Sequence, residues 1–429
     1  MNRRNFIKTA GASAGTFAIG RGIDLGAATE RAESSSAQKI RGTGNGVTVD
    51  VAVVGGGVMG NWTALNLREM GLSVVLIDQY SPGNSKSSSK GEIRGMRLTY
   101  GENEHEMLWA RDACEQWKIR QSEFGTDMFY QCGALSFRRE WTARQIAERA
   151  LFDKHKVPYE VLSYDDLMRR WPQAPPPSEE YFGFYHPWGG VLSPRDANLA
   201  VATAFKNKGG QVILGKAMPG ARAGSKLQTV TLSSGETVSA GSFVFAVGAW
   251  LPKVFPGVMK DKLSVRKAGY YMFGTPPGDT RFSVPNLPNT GLGLPSINGA
   301  GFGLLINPTH PVDPDSFEHL PDADEQAQAR QTVATRFPGL KDQPIIAAWT
   351  CQTENSVDAQ CIFDPHPQMN NVWLVGGGSW HAFKIGPVIG DYVAHRVVGV
   401  EKGLPEANLS GAELSAIFKL KPETFATRL

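Results

Sequence analysis

The chain has 429 residues, 44 basic against 41 acidic side chains and a formal charge of +3, so its electrostatics give no reason to bind nucleic acid or an anionic membrane. That length exceeds what one simple core holds, which predicts two intimately packed domains, and no apolar run approaches the length of a bilayer span. Four cysteines, Cys114, Cys132, Cys351 and Cys361, are too few for a disulfide framework, and none forms a Cys-x-x-Cys pair, so no structural metal is expected.

In chain order the first element is a leader. Asn2-Arg3-Arg4-Asn5-Phe6-Ile7-Lys8 precedes a mild apolar stretch, residues 9–20, then Ala27 and Ala28, then a polar linker at residues 34–38. The paired arginines with Phe6 and Lys8 resemble a bacterial twin-arginine signal; a disordered basic tail is the plain alternative. The first reading makes the Tat export machinery a partner and the periplasm or cell exterior the destination. Residues 1–45 are therefore set apart from the fold.

Residues 50–78 follow, reading as strand, glycine turn, helix, strand and acid. Asp50-Val-Ala-Val-Val leads into Gly55-Gly-Gly57-Val-Met-Gly60, a helix-like segment at 61–70, and a second apolar run at 74–77 that ends on Asp78. This is the fingerprint of a dinucleotide site. Gly55 permits the tight turn, Gly57 lets the backbone approach a pyrophosphate, and Gly60 lets the helix pack on the strand. The helix N-terminus offers free N–H groups to the phosphates, and Asp78 can accept hydrogen bonds from ribose hydroxyls.

A polar loop, 82–90, comes next. Met107, Ala110, Cys114 and Trp117 then recur at helical spacing and define a buried face, so Cys114 reads as core. Residues 130–137 read as a strand containing Cys132, 165–170 as a short helix ending before Trp171-Pro172, and 198–205 as an apolar helix. Strands are predicted at 211–214 and 230–232, and a buried one at 242–247 that ends in the Gly248 turn. Residues 263–345 are rich in proline and glycine and predict short, broken strands in an inserted domain. A strand at 371–375, the run Gly376-Gly-Gly378, and a helix at 387–398 stopped by Gly399 repeat the strand–turn–helix pattern near the other end of the chain. The fold expected is therefore α/β, with a sheet assembled from both ends.

Several stretches together resemble the sarcosine oxidase group of flavoproteins within the D-amino-acid oxidase superfamily, over nearly the whole chain from Val49. They are Val53-Val-Gly-Gly-Gly-Val-Met-Gly60, Gly91-Glu-Ile-Arg-Gly-Met-Arg-Leu-Thr-Tyr-Gly-Glu102, Val247-Gly-Ala-Trp250, Cys351-Gln-Thr-Glu-Asn-Ser-Val-Asp358 and Gly378-Ser-Trp-His-Ala-Phe-Lys384. The resemblance implies FAD rather than NAD, and oxidation of the C–N bond of an amine or N-methyl amino acid to an imine. It implies a Rossmann-like FAD/NAD(P)-binding domain, discontinuous over 46–135, 190–262 and 346–429, with an inserted mixed or antiparallel-sheet substrate domain from 136–189 and 263–345. Arg97 and Lys384 fall where the group holds a substrate carboxylate, Arg94 and His381 near the flavin ring, and Cys351 where a cysteine sulfur is linked to it. The residues assigned to the cofactor are Gly55, Gly57, Val58, Met59, Gly60, Asp78, Gln79, Ser88, Lys90, Arg94, Val212, Gly248, Trp250, Cys351, Gly377, Gly378, His381 and Lys384.

The chain also departs from the group. A lysine that contacts the flavin through water, and through which oxygen is activated, is matched by Leu305, which leaves oxygen and another electron carrier as open acceptors, with Lys90 a candidate replacement cation. An aromatic pair is matched by Gly291 and Leu292, and another aromatic by Thr353, so the pocket is expected to be wide and its substrate bulkier than sarcosine. His310 lies one residue out of step with an active-site histidine. A flavoenzyme of the same fold acting on an amine without a carboxylate, and a flavin-binding accessory protein without turnover, are the rival readings. A zinc protease, a nucleophile-elbow hydrolase and a P-loop nucleotidase lack their motifs in this sequence.

Overall fold

Val51, Ala52, Val53 and Val54 are all buried, as are Val74, Val75, Leu76 and Ile77. Continuous apolar runs of this kind belong to parallel strands covered on both faces. In a computed structural model describing residues 41–43, 46–306 and 310–425, they lie at the centre of a nine-stranded sheet. Gln211–Leu214, Val74–Asp78, Gly46–Val54 and Thr237–Phe245 run parallel in that order, and Met369–Gly376 also joins Thr237–Phe245 in parallel. The sheet thus draws strands from both ends of the chain. The expected leader falls almost entirely outside the described residues, and among those described no helix is long and apolar enough to cross a membrane.

Glycine brings two helices together on one face of this sheet. Val58–Glu69 packs against Gly386–Val397, and a Cβ on Gly390 would stand 2.4 Å from the Cβ of Trp62. Glu104–Phe124 closes the same face with Met107, Ala110, Cys114 and Trp117 inward, as the periodicity predicts, and ends on Gly125 at φ +63°.

The second sheet is antiparallel, in the order Gly293–Leu294, Phe302–Ile306, Leu263–Phe273, Ile345–Ser356. Here the sequence reading needs correction. Leu263–Phe273 is an unbroken eleven-residue strand, paired along its length with Ile345–Ser356. The prolines that suggested broken structure lie in the loops around it. A helix, Ala323–Arg336, went unread within the same region. Its N-terminus carries a capping box, with the Asp322 carboxylate accepting from the Glu325 N–H, and it buries Ala329 and Val333 at helical spacing. The strand expected at 130–137 is two strands, Phe129–Tyr130 and Ala134–Arg138, divided at Gly133 with φ +81°. Cys132 lies in that break.

Candidate functional site: a cavity lined by both sheets

A cavity of about 530 Å³ is lined by residues of both sheets, a volume ordinary for a ligand site. Its phosphate-sized end is built by the first glycine turn. Gly55 has φ +104°, and a Cβ there would lie 2.3 Å from the Ala246 carbonyl oxygen. A Cβ on Gly60 would lie 1.9 Å from the Gly55 oxygen, so Gly60 is a packing glycine behind the wall. Gly57 is different. The space beside it is open, with Ser89 Oγ at 3.5 Å from a Cβ built there as the nearest atom. The helix that starts at Val58 has no side-chain cap on its own N-cap residue, and its first N–H donates to Ser89 Oγ at 3.0 Å. A cradle left open by glycine at a helix N-terminus is what a dinucleotide pyrophosphate requires, so these residues fit an FAD.

Asp78 and Gln79 line the cavity as expected. The Asp78 carboxylate also braces the turn, accepting from Gly56 N–H at 2.7 Å, Tyr80 N–H at 2.9 Å and Ser81 N–H at 2.8 Å. Tyr80, Ser81 and Asn84 fill Oδ1, whereas Oδ2, which accepts from Gly56, retains capacity for a hydroxyl. Val212 does not reach the wall. Its strand pairs with Val74–Asp78, and its side chain packs on the main core; Ala217 and Met218, a few residues on, line the cavity instead.

At the other end stand Arg94, Arg97, Lys384, Cys351 and Tyr270. Arg94 stacks 4.0 Å above the Tyr270 ring and donates to the Ser88 carbonyl oxygen at 2.8 Å. Arg97 donates to the Thr99 carbonyl oxygen, and Lys384 Nζ donates to that of Trp380 at 2.7 Å. Burial, and then the Arg97 charge, hold the Lys384 ammonium well below the usual lysine range. Cys351 is buried at the cavity wall. Burial pushes its thiol up, against the opposing pull of Arg94 and Lys90.

Other assigned residues stand behind the wall. His381 Nδ1 lies 2.7 Å from Glu106 Oε1, and its ring sits edge-on to Tyr100. Burial lowers the imidazole's pKa; it pushes Glu106 up, but the hydrogen bond to His381 together with the charges of His381, His105 and Lys384 leaves that carboxyl below its usual range. A neutral ring donating its Nδ1 proton to an ionised carboxylate satisfies both directions. Its place is a brace for Tyr100, one layer back from the cavity. Lys90 points away as well, with Nζ 3.2 Å from His319 Nδ1; burial lowers it to about 8. Gly377, with φ +68°, shapes the turn, while Gly378 reaches the cavity, as do Ser88, Gly248 and Trp250. His310 does not: it is exposed, and its carbonyl accepts from Lys267 N–H.

The departures read from sequence are on the wall. Leu305, Gly291 and Thr353 line it, whereas Leu292 packs into a core cluster. Among the wall or bracing residues without an assignment from sequence are Tyr270, in the long strand Leu263–Phe273, and Tyr100 and Glu354, both inside quoted motifs. Strand alternation alone does not tell which face meets a cavity.

The profile of a family described as FAD dependent oxidoreductase matches residues 50–396. Monomeric sarcosine oxidase from Arthrobacter sp. (strain TE1826) is 24% identical over 368 residues, which cover 81% of this chain and 92% of that one. N-methyl-L-tryptophan oxidase from Yersinia pestis (strain Pestoides F) is 26% identical over 368 residues, covering 80% and 94%. A thermally stable mutant of fructosyl peptide oxidase shares the fold with a TM-score of 0.74 at 20% identity, over 89% of this chain and 95% of that one.

Proposed function

The chain belongs to the family of FAD-dependent oxidoreductases, and from that premise we propose that it oxidises the carbon–nitrogen bond of an amino acid to an imine. The imine then hydrolyses to a carbonyl compound and an amine. The carrying observation is the convergence of Arg97 and Lys384 on one end of the cavity. A guanidinium forks onto a carboxylate and an ammonium adds a point charge, so the pair fixes an amino acid by its acid group. When bound, the flavin supplies the two-electron acceptor. The protein supplies orientation and charge. Arg97 and Lys384 hold the carboxylate, Tyr270 and Arg94 close the wall beside it, and the apolar Leu305 keeps water from one side.

Gly291 and Thr353 leave the lining short of bulk, which favours a side chain larger than that of sarcosine. Leu305 places no charge where oxygen would gain one, and this favours a carrier other than oxygen as electron acceptor. Attachment of the flavin at Cys351 belongs to the same reading and is supported by the buried thiol at the wall beside Arg94. We extend it to export through the twin-arginine route, on the strength of Arg3, Arg4, Phe6 and Lys8, and to the two-domain division drawn from the sequence.

The test is anaerobic mixing of the yellow protein with a panel of primary and N-methyl amino acids beside their decarboxylated amines. Loss of the visible flavin band with acids and not with the amines is expected. Bleaching by none of them would withdraw the reading. Bleaching by the amines alone would transfer it to a substrate without a carboxylate. Acid precipitation of the same preparation should leave colour in the pellet; colour only in the supernatant rejects attachment at Cys351.

A further inference from the structure

Between the two ends of the cavity stands a carboxyl that none of the foregoing uses. Glu354 lies on the Ile345–Ser356 strand, three residues beyond Cys351, and lines the cavity. Its side chain occupies the gap between two glycine turns. A Cβ on Gly378 would lie 3.1 Å from its Oε1, and one on Gly248 would lie 3.6 Å from the same atom. Met59, on the first turn of the pyrophosphate helix, is its neighbour across Gly378. The carboxyl therefore stands on the cavity wall between the Gly248 and Gly378 turns.

Among the described residues no cation acts on it. The groups among them that do are backbone N–H groups, its own and that of Gly378, while the thiols of Cys351 and Cys361 are the titratable groups it influences. Burial raises it to about 7, so it exists as donor and acceptor together near neutrality. A half-buried acid with no ion partner is costly unless a ligand completes its hydrogen bonds. With its pyrophosphate at the Gly57 turn and its ring at the Cys351 end, a flavin dinucleotide would pass the polyhydroxylated chain that joins the two along this part of the cavity.

We propose that Glu354 is a cofactor-binding residue whose carboxyl hydrogen-bonds the hydroxyls of the flavin's ribityl chain between the Gly248 and Gly378 turns. The test is a chemical double-mutant cycle, run in a Cys351→Ser background so that binding stays reversible. Affinities of Glu354 and Glu354→Leu proteins for FAD and for FAD analogues lacking single ribityl hydroxyls are measured by quenching of flavin fluorescence. The Leu variant should bind FAD about 10- to 100-fold more weakly, since a charge-assisted hydrogen bond is lost. It should also be indifferent to removal of the hydroxyl whose loss weakens the parent. Additive losses, or an unchanged affinity, overturn the proposal. Glu354→Met, which keeps the length and carries no hydrogen-bonding head, gives the same cycle should the Leu variant not fold. Failure of the parent to bind any flavin would instead strike at the cofactor itself.

Discussion

Arg97 and Lys384 approach the same aromatic ring: the guanidinium carbon lies 4.7 Å, and the ammonium nitrogen 5.8 Å, from the centroid of Tyr100. Two like charges held this close are stable together when an anion joins them, and the ring fixes both heads. Replacing Arg97 by Leu, or Lys384 by Met, should lower kcat/KM for a carboxylate-bearing substrate by about 30-fold or more, corresponding to the ~2–5 kcal/mol typical of a truncated charge contact. The loss should fall mainly on KM and spare the decarboxylated amine. Equal losses for both substrates would place the pair outside the docking site.

A pH dependence follows from the same geometry. Burial and Arg97 lower the Lys384 pKa, so its charge is present at low pH and lost as pH rises through a value below the usual lysine range. Affinity for a simple carboxylate without an amine should fall over that interval. Lys384→Arg carries a permanent charge and should flatten the curve. A fall of the same size in the variant would assign the titration to another group.

The glycines of the first turn separate folding from cofactor binding. Gly60→Ala drives a methyl into the Gly55 oxygen and should destabilise the protein severely, as seen by thermal denaturation. Gly57→Ala meets only ordinary contacts and should leave the melting temperature of flavin-free protein within a few degrees, while weakening FAD affinity by about tenfold or more. A Gly57→Ala protein that retains full affinity would remove the pyrophosphate from that place.

This division was legible in the sequence because a glycine fingerprint encodes backbone geometry locally. The core strands were legible for a similar reason: runs such as Val74-Val-Leu-Ile77 leave one choice of environment. The layering of the site was not. His381 and Lys384 lie three residues apart in one motif, yet one braces Tyr100 from behind and the other reaches the cavity. Only the tertiary contact with Glu106 decides between them. Val212 and Met218 show the same limit, since a β-strand carries no sign of where a neighbouring cavity begins. The Ala323–Arg336 helix carries its own sequence marker, the Asp322-x-x-Glu325 box, in a region whose prolines point to loops.

His186 makes acid sensitivity testable. It is 1% exposed, packs against Phe152, and is lowered by burial, then by Arg97 and Arg138, to about 3. Between about pH 6.5 and about 3 the unfolded chain binds a proton there and the native chain does not. Stability therefore rises with pH in that window and falls on acidification, at up to about 1.4 kcal/mol per pH unit from this ring. Denaturant titrations of wild type and His186→Leu should show a shallower acid slope in the variant. Identical slopes would contradict a neutral, buried ring.

Leu305 is the remaining lever. It lies on the cavity wall beside the cluster of Ala268, Tyr270 and Cys351. Leu305→Lys should speed reaction of the reduced protein with oxygen by about 10²-fold, if a positive charge there acts as preorganised charges do elsewhere. Stopped-flow reoxidation in air-saturated buffer measures it. An unchanged rate would mean that oxygen meets the cofactor on another side.

The union of Val58–Glu69 with Gly386–Val397 has a bearing on biosynthesis. A ribosome that has delivered the amino-terminal glycine turn has delivered only half a cradle, for the helix that buttresses Trp62 emerges some three hundred residues later. A chain truncated before Gly386 therefore lacks the packing partner of its first helix, however sound its first motif.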